Sequence, residues 1–90
     1  MKIISYDIKD DKVRTKFAKM LAKYGAIRLQ YSVYEIENTN RIMDNLLVRI
    51  EDFSKQFCFD DSVIVFDVNK SKMQKYGNAI HRDQAMVYFK

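Results

Sequence analysis

The sequence predicts an α+β sandwich in which two helices cover one face of a mainly antiparallel sheet. Three observations carry that prediction. Short runs of β-branched and aromatic residues stand at 2–8, 26–37, 62–68 and 85–89. Between them lie two longer segments, 11–24 and 40–57, whose apolar residues recur every three or four positions. The 90 residues suit a single domain, 1–90, and with two glycines and no proline the composition offers no linker.

Residues 2–8 (KIISYDI) form the first strand, with Asp7 at its C-terminal end. Asp10 or Asp11 is placed to cap the next helix, because a short carboxylate accepts from the free amides of a first turn. Over 11–24, Val13, Phe17, Met20, Leu21 and Tyr24 share one face, and Gly25 follows as a stop. Lys12, Lys16, Lys19 and Lys23 recur at spacings of four, three and four, a stripe about 60° wide on the helix surface. No acid interleaves them after Asp11, so the stripe suits an anion; a solubilising face is the plainer reading. Residues 26–37 alternate: Ile27, Leu29, Tyr31 and Val33 point one way, and Arg28, Gln30, Ser32 and Tyr34 the other. By pattern alone this is one long strand, since no Gly, Pro or Asn marks a turn inside it. Asn38, Thr39 and Asn40 supply caps for a second helix, whose buried stripe runs Ile42, Met43, Leu46, Leu47, Ile50, Phe53 and Phe57. The strand at 62–68 is apolar on both faces, with Val63 and Val65 on one side and Ile64, Phe66 and Val68 on the other. Two helices cover only one face of a small sheet, so the second face calls for a partner subunit, most simply a two-fold homodimer. A basic connector with one helical turn follows before Gly77, then a short strand at 85–89.

The net charge of +4 is unevenly spread. Residues 1–30 carry eight basic and three acidic residues, 31–68 three and eight, and 69–90 five and one. Two basic ends around an acidic middle favour an anionic partner, nucleic acid above all. The single Cys excludes a disulfide framework, and with one His no zinc-like spacing exists. Cys58, between Phe57 and Phe59, reads as a small buried hydrophobe, and His81 as a surface or hydrogen-bonded side chain. No apolar run is long enough to span a membrane and the N-terminus lacks an apolar leader, so a soluble, cytoplasmic protein is expected.

The first strand ending in Tyr6-Asp7, Asp10-Asp11 opening a basic helix, and the block Gly25-Ala26-Ile27-Arg28-Leu29-Gln30-Tyr31-Ser32-Val33-Tyr34-Glu35 together resemble the small CRISPR-associated Cas2 family. The resemblance covers nearly the whole chain and is weakest from Asn69 onward. It implies a ferredoxin-like β-α-β-β-α-β fold with an extra C-terminal strand, which requires two strands within 26–37 and a kink near Gln30–Ser32. It also implies a prokaryotic homodimer joined through sheet faces, with the segment at about 78–90 crossing to or packing on the partner protomer. In function it implies a scaffold of spacer acquisition that lies along a prespacer DNA duplex and bridges integrase subunits. The alternatives are a Mg²⁺-dependent endonuclease acting on RNA or duplex DNA, and a toxin-type ribonuclease of similar fold.

By the same resemblance Asp7 is the catalytic and metal-associated residue, paired with its own copy across a dimer axis. Mg²⁺ accepts one or two carboxylates and completes its octahedron with water. Asp10, Asp11 and Asp67 have ordinary capping or strand-end explanations. Arg14, Lys16, Arg28 and Tyr34 fall at the family's nuclease-linked positions; Lys16 replaces a common Arg and lacks its planar bidentate geometry, and Tyr34 replaces a common Phe. The nucleic-acid-binding set expected from charge and resemblance is Lys12, Arg14, Lys16, Lys19, Lys23, Arg28 and Gln30. Such residues hold phosphates without reading bases. Docking of the integrase is expected at the C-terminal strand.

Overall fold

The computed structural model describes residues 1–79. Its elements are β1 (Lys2–Asp7), α1 (Asp11–Lys23), β2 (Ile27–Gln30), β3 (Val33–Ile36), α2 (Asn40–Ser54) and β4 (Ser62–Asp67), followed by a 3₁₀ turn at Lys70–Lys72. The four strands form one antiparallel sheet in the order β2-β3-β1-β4, the strand order of a ferredoxin-like fold. The strand expected at 85–89 and His81 lie outside the described residues.

Each helix starts where a side chain satisfies its free amides. Asp10 caps α1, its Oδ1 accepting from Lys12 N at 2.9 Å and Val13 N at 3.0 Å. Thr39 caps α2 through Ile42 N. Gly25 ends α1 with φ 91°, a conformation that a Cβ would penalise. Asn38 Nδ2 then donates to Tyr24 O, tying the end of α1 to the entry of α2.

The core lies between the helices and one sheet face. Ile4, Phe17, Leu21, Ile36 and Leu46 are fully buried. Phe17 is central: its ring meets Tyr6 edge-on at 4.9 Å and Phe53 at 5.4 Å. Val63 and Val65 of β4 pack against this core. Ile64 and Phe66, on the other face of the same strand, remain 53% and 45% exposed.

Four expectations change. Residues 26–37 are the two strands that the resemblance requires rather than the one that pattern alone suggests, because Ser32 adopts φ 68° and turns the chain without Gly, Pro or Asn. α2 ends at Ser54 rather than 57, although Phe57 still packs against the core from the following turn. Leu47 is exposed on α2, outside the buried stripe of Met43, Leu46, Ile50 and Phe53. Cys58 is exposed, because the loop after α2 carries it and Phe59 away from the core.

Candidate nucleic-acid interface

α1 buries Phe17, Met20 and Leu21 and leaves Lys12, Lys16, Lys19 and Lys23 exposed. Among the described residues none of these four lysines is paired with a carboxylate. Arg14, on the same helix, is half-buried and engaged. Its Nη1 donates to Ile8 O at 2.9 Å and to Lys9 O at 3.3 Å, and its Nη2 pairs with Asp11. Arg14 therefore closes the loop between β1 and α1, with less freedom to meet a phosphate than the lysines have.

The structure separates Arg28 from Gln30. In register Arg28 lies opposite Tyr34, whose side chain is buried beneath the helices, whereas Gln30 lies opposite Val33. A bulge between Arg28 and Gln30 inserts the extra residue, so the expected common face does not form. Arg28 instead joins a cleft of about 210 Å³ between α1 and the β2–β3 turn, lined chiefly by Tyr6, Arg14, Lys19, Arg28, Tyr31 and Tyr34. At its floor Tyr6 and Tyr34 stack with centroids 6.1 Å apart. Burial, reinforced by Tyr34 and opposed by Ser32 and Arg28, pushes the Tyr6 hydroxyl up to about 12, so it stays a neutral donor.

Asp7 lies on the opposite sheet face. In β1, Ile4 and Tyr6 turn toward the helices, which leaves Ile3, Ser5 and Asp7 on the other side, in register with Phe66, Ile64 and Ser62. The Asp7 carboxylate is exposed, and both of its oxygens lie 3.0 Å from Lys9 Nζ. That hydrogen bond and charge hold the Lys9 ammonium above its usual range. The Lys9 backbone is fixed in turn, its N–H donating to Asp61 Oδ1 at 2.9 Å while Asp61 Oδ2 accepts from Cys58 N at 2.8 Å. These two backbone donors hold the Asp61 carboxyl below its usual range.

Mg²⁺ needs only one or two carboxylates, and the described residues of one chain offer it little more than Asp7. Among the described residues no three His, Cys, Asp or Glu side chains converge. Asp10 caps α1, Asp11 pairs with Arg14, and Asp67 pairs with Lys2 at the other end of β4. That leaves Asp7 alone, with an ammonium on both oxygens.

The pattern in the sequence did not single out Lys9, Asp61 or Tyr31. Asp61 had a local signal, a carboxylate just before a strand in the run Cys58–Asp61, but its reach across to Lys9 depends on tertiary structure.

The profile of CRISPR associated protein Cas2 matches residues 1–80. The chain belongs to the Cas2 family. It is similar to "CRISPR-associated endoribonuclease Cas2 2" of Methanospirillum hungatei, 51% identical over 35 residues, which are 39% of this chain and 38% of that one. It is 58% identical over 33 residues to "CRISPR-associated endoribonuclease Cas2 3" of Chloroflexus aurantiacus, covering 37% and 34% of the two chains. The matched segments thus span little more than a third of these curated relatives. Among solved structures it is similar to the hypothetical protein TT1823 of Thermus thermophilus, with a TM-score of 0.69 at 27% identity, covering 84% of this chain and 88% of that one. It shares its fold with a structure described as cas2, with a TM-score of 0.58 at 24% identity and coverage of 83% and 94%. Among the described residues no helix of this Cas2 chain is long and apolar enough to cross a membrane.

Proposed function

We propose that this Cas2-family chain works as a dimeric scaffold of CRISPR spacer acquisition, holding duplex DNA by its phosphates and bridging integrase subunits. The carrying observation is the α1 surface. Lys12, Lys16, Lys19 and Lys23 are exposed without carboxylate partners among the described residues, at a spacing that lines one side of the helix. Lysines are mobile point charges that follow a phosphate backbone without selecting bases. α1 carries no Asn or Gln with which to read adenine in a major groove. Sequence tolerance suits a protein that must accept many duplexes.

The test is a salt titration of duplex affinity for the wild type and for a variant with all four lysines changed to Gln. Each phosphate contact contributes about −0.9 to the log–log slope on B-DNA. The wild type is expected to show a steep slope and the variant a shallower one. A nearly flat wild-type slope, or equal slopes, overturns the scaffold reading.

The names of the curated relatives and the exposed position of Asp7 favour a second reading, endonuclease activity. With one Asp7 per chain, that activity would draw on the Asp7 carboxylates of two protomers together. Cleavage of RNA and of duplex DNA by wild type and Asp7→Asn, each with and without Mg²⁺, decides it. Equal cleavage by both proteins rules out Asp7 as the catalytic group.

A further inference from the structure

We propose that the cleft between α1 and the β2–β3 turn seats one unpaired nucleotide of a nucleic-acid strand, its base stacked on Tyr31 and its phosphate on Lys19 and Arg28. This rests on the nucleic-acid-binding reading above but adds a different ligand element, a base outside a duplex.

Three observations meet here. Tyr31 stands at the tip of the β2–β3 hairpin, 78% exposed, a large aromatic ring where turns usually carry small polar residues. One side of that ring is backed by Arg28, whose Cζ lies 5.5 Å from the ring centroid. The guanidinium holds the ring in place, while most of the residue stays exposed. The cleft beside it contains no carboxylate among its lining residues, and Lys19 and Arg28 form no ion pair among the described residues.

Size selects the ligand. About 210 Å³ lies below the roughly 300–1,000 Å³ of sites for drug-sized molecules, which suits a single base or phosphate-bearing unit. A base inside a duplex has both faces covered by its neighbours, so only an unstacked base can use Tyr31. Stacking of this kind tolerates any base, because each has a π-face. The seat lies on the helix side of the sheet and Asp7 on the other, so it retains a strand away from the Asp7 carboxylates.

The experiment measures affinity by fluorescence anisotropy for a labelled oligothymidylate and for a blunt duplex, in chelator, with wild type, Tyr31→Ala and Tyr31→Phe. Tyr31→Ala is expected to weaken single-strand binding about thirtyfold, the middle of the range for losing one stacked base, and to leave duplex binding within about twofold. Tyr31→Phe keeps a ring and is expected to retain single-strand affinity. The proposal is overturned if Tyr31→Ala leaves the oligothymidylate affinity unchanged, weakens both ligands equally, or is matched by Tyr31→Phe. Thymidine monophosphate binding as tightly as the oligomer would also overturn it, by assigning the cleft to a free nucleotide. Failure of the duplex reading shows elsewhere, as a salt slope unaffected by loss of the four lysines.

Discussion

Asp61 accepts from two backbone amides, Lys9 N and Cys58 N, and so joins the β1–α1 loop to the α2–β4 loop. The bonds are to the charged carboxylate, which is why its pKa lies below the ordinary carboxylate range. A depressed carboxylate contributes stability that is fully present above its unfolded-state pKa and is lost as pH falls through the folded-state value. Asp67, held down by its hydrogen bond and ion pair with Lys2, acts in the same direction. The urea midpoint is therefore expected to hold steady from about pH 7 to 5 and to fall below about pH 4. Asp61→Asn keeps the shape but not the charge. It should start lower at neutral pH and lose less on acidification, because Asp67 still titrates. A variant whose midpoint falls as steeply as the wild type's would show that Asp61 is not the acid-sensitive link.

The β2–β3 hairpin is the element least legible in the sequence. Residues 26–37 alternate without a break, and the only sign of a turn is Ser32, which ordinarily avoids a left-handed backbone. Its φ of 68° is held by tertiary contact, since its carbonyl accepts from Tyr6 N at 3.1 Å on the neighbouring strand. The bulge after Arg28 then moves Gln30 off the expected face. The caps at Asp10 and Thr39, the stop at Gly25 and the core stripes of both helices are local features, and local rules find them. The lysine stripe was equally legible because helical spacing alone decides it. The cleft was not: Tyr6, Lys19 and Arg28 come together only through strand pairing and helix packing. The backbone cost at Ser32 can be isolated by comparing Ser32→Val with Ser32→Gly, both of which lose the hydroxyl. The valine variant is expected to be less stable by about 1–2 kcal/mol, the penalty for a Cβ in this conformation. Equal denaturation midpoints would mean that the turn relaxes out of the left-handed region.

At the scale of the whole molecule, the two helices leave one face of the sheet uncovered among the described residues. Ile64 and Phe66 are about half-exposed there, beside Ile3 and Ser5, while the opposite face of the same strands holds the core. An apolar sheet face of this kind is most economically covered by a second copy in an isologous contact. Such a contact would bring two Asp7 carboxylates to a common interface, and the Lys9 ammonium on each offsets the repulsion between them. Changing both Ile64 and Phe66 to Glu puts like charges on each side of that contact, yet touches no residue of the core between sheet and helices. The wild type is expected to sediment as a dimer at micromolar concentration, and the doubly substituted chain as a monomer with an unchanged far-ultraviolet spectrum. Duplex binding then supplies an independent readout. The salt slope is proportional to the number of phosphates neutralised, and a monomer offers one α1 lysine stripe where a dimer offers two. The monomeric variant should show a slope about half that of the wild type. A wild type that is monomeric, or a variant that still dimerises, would leave the face to another partner. A variant that is monomeric but keeps the full slope would mean that one α1 stripe already accounts for all the phosphate contacts.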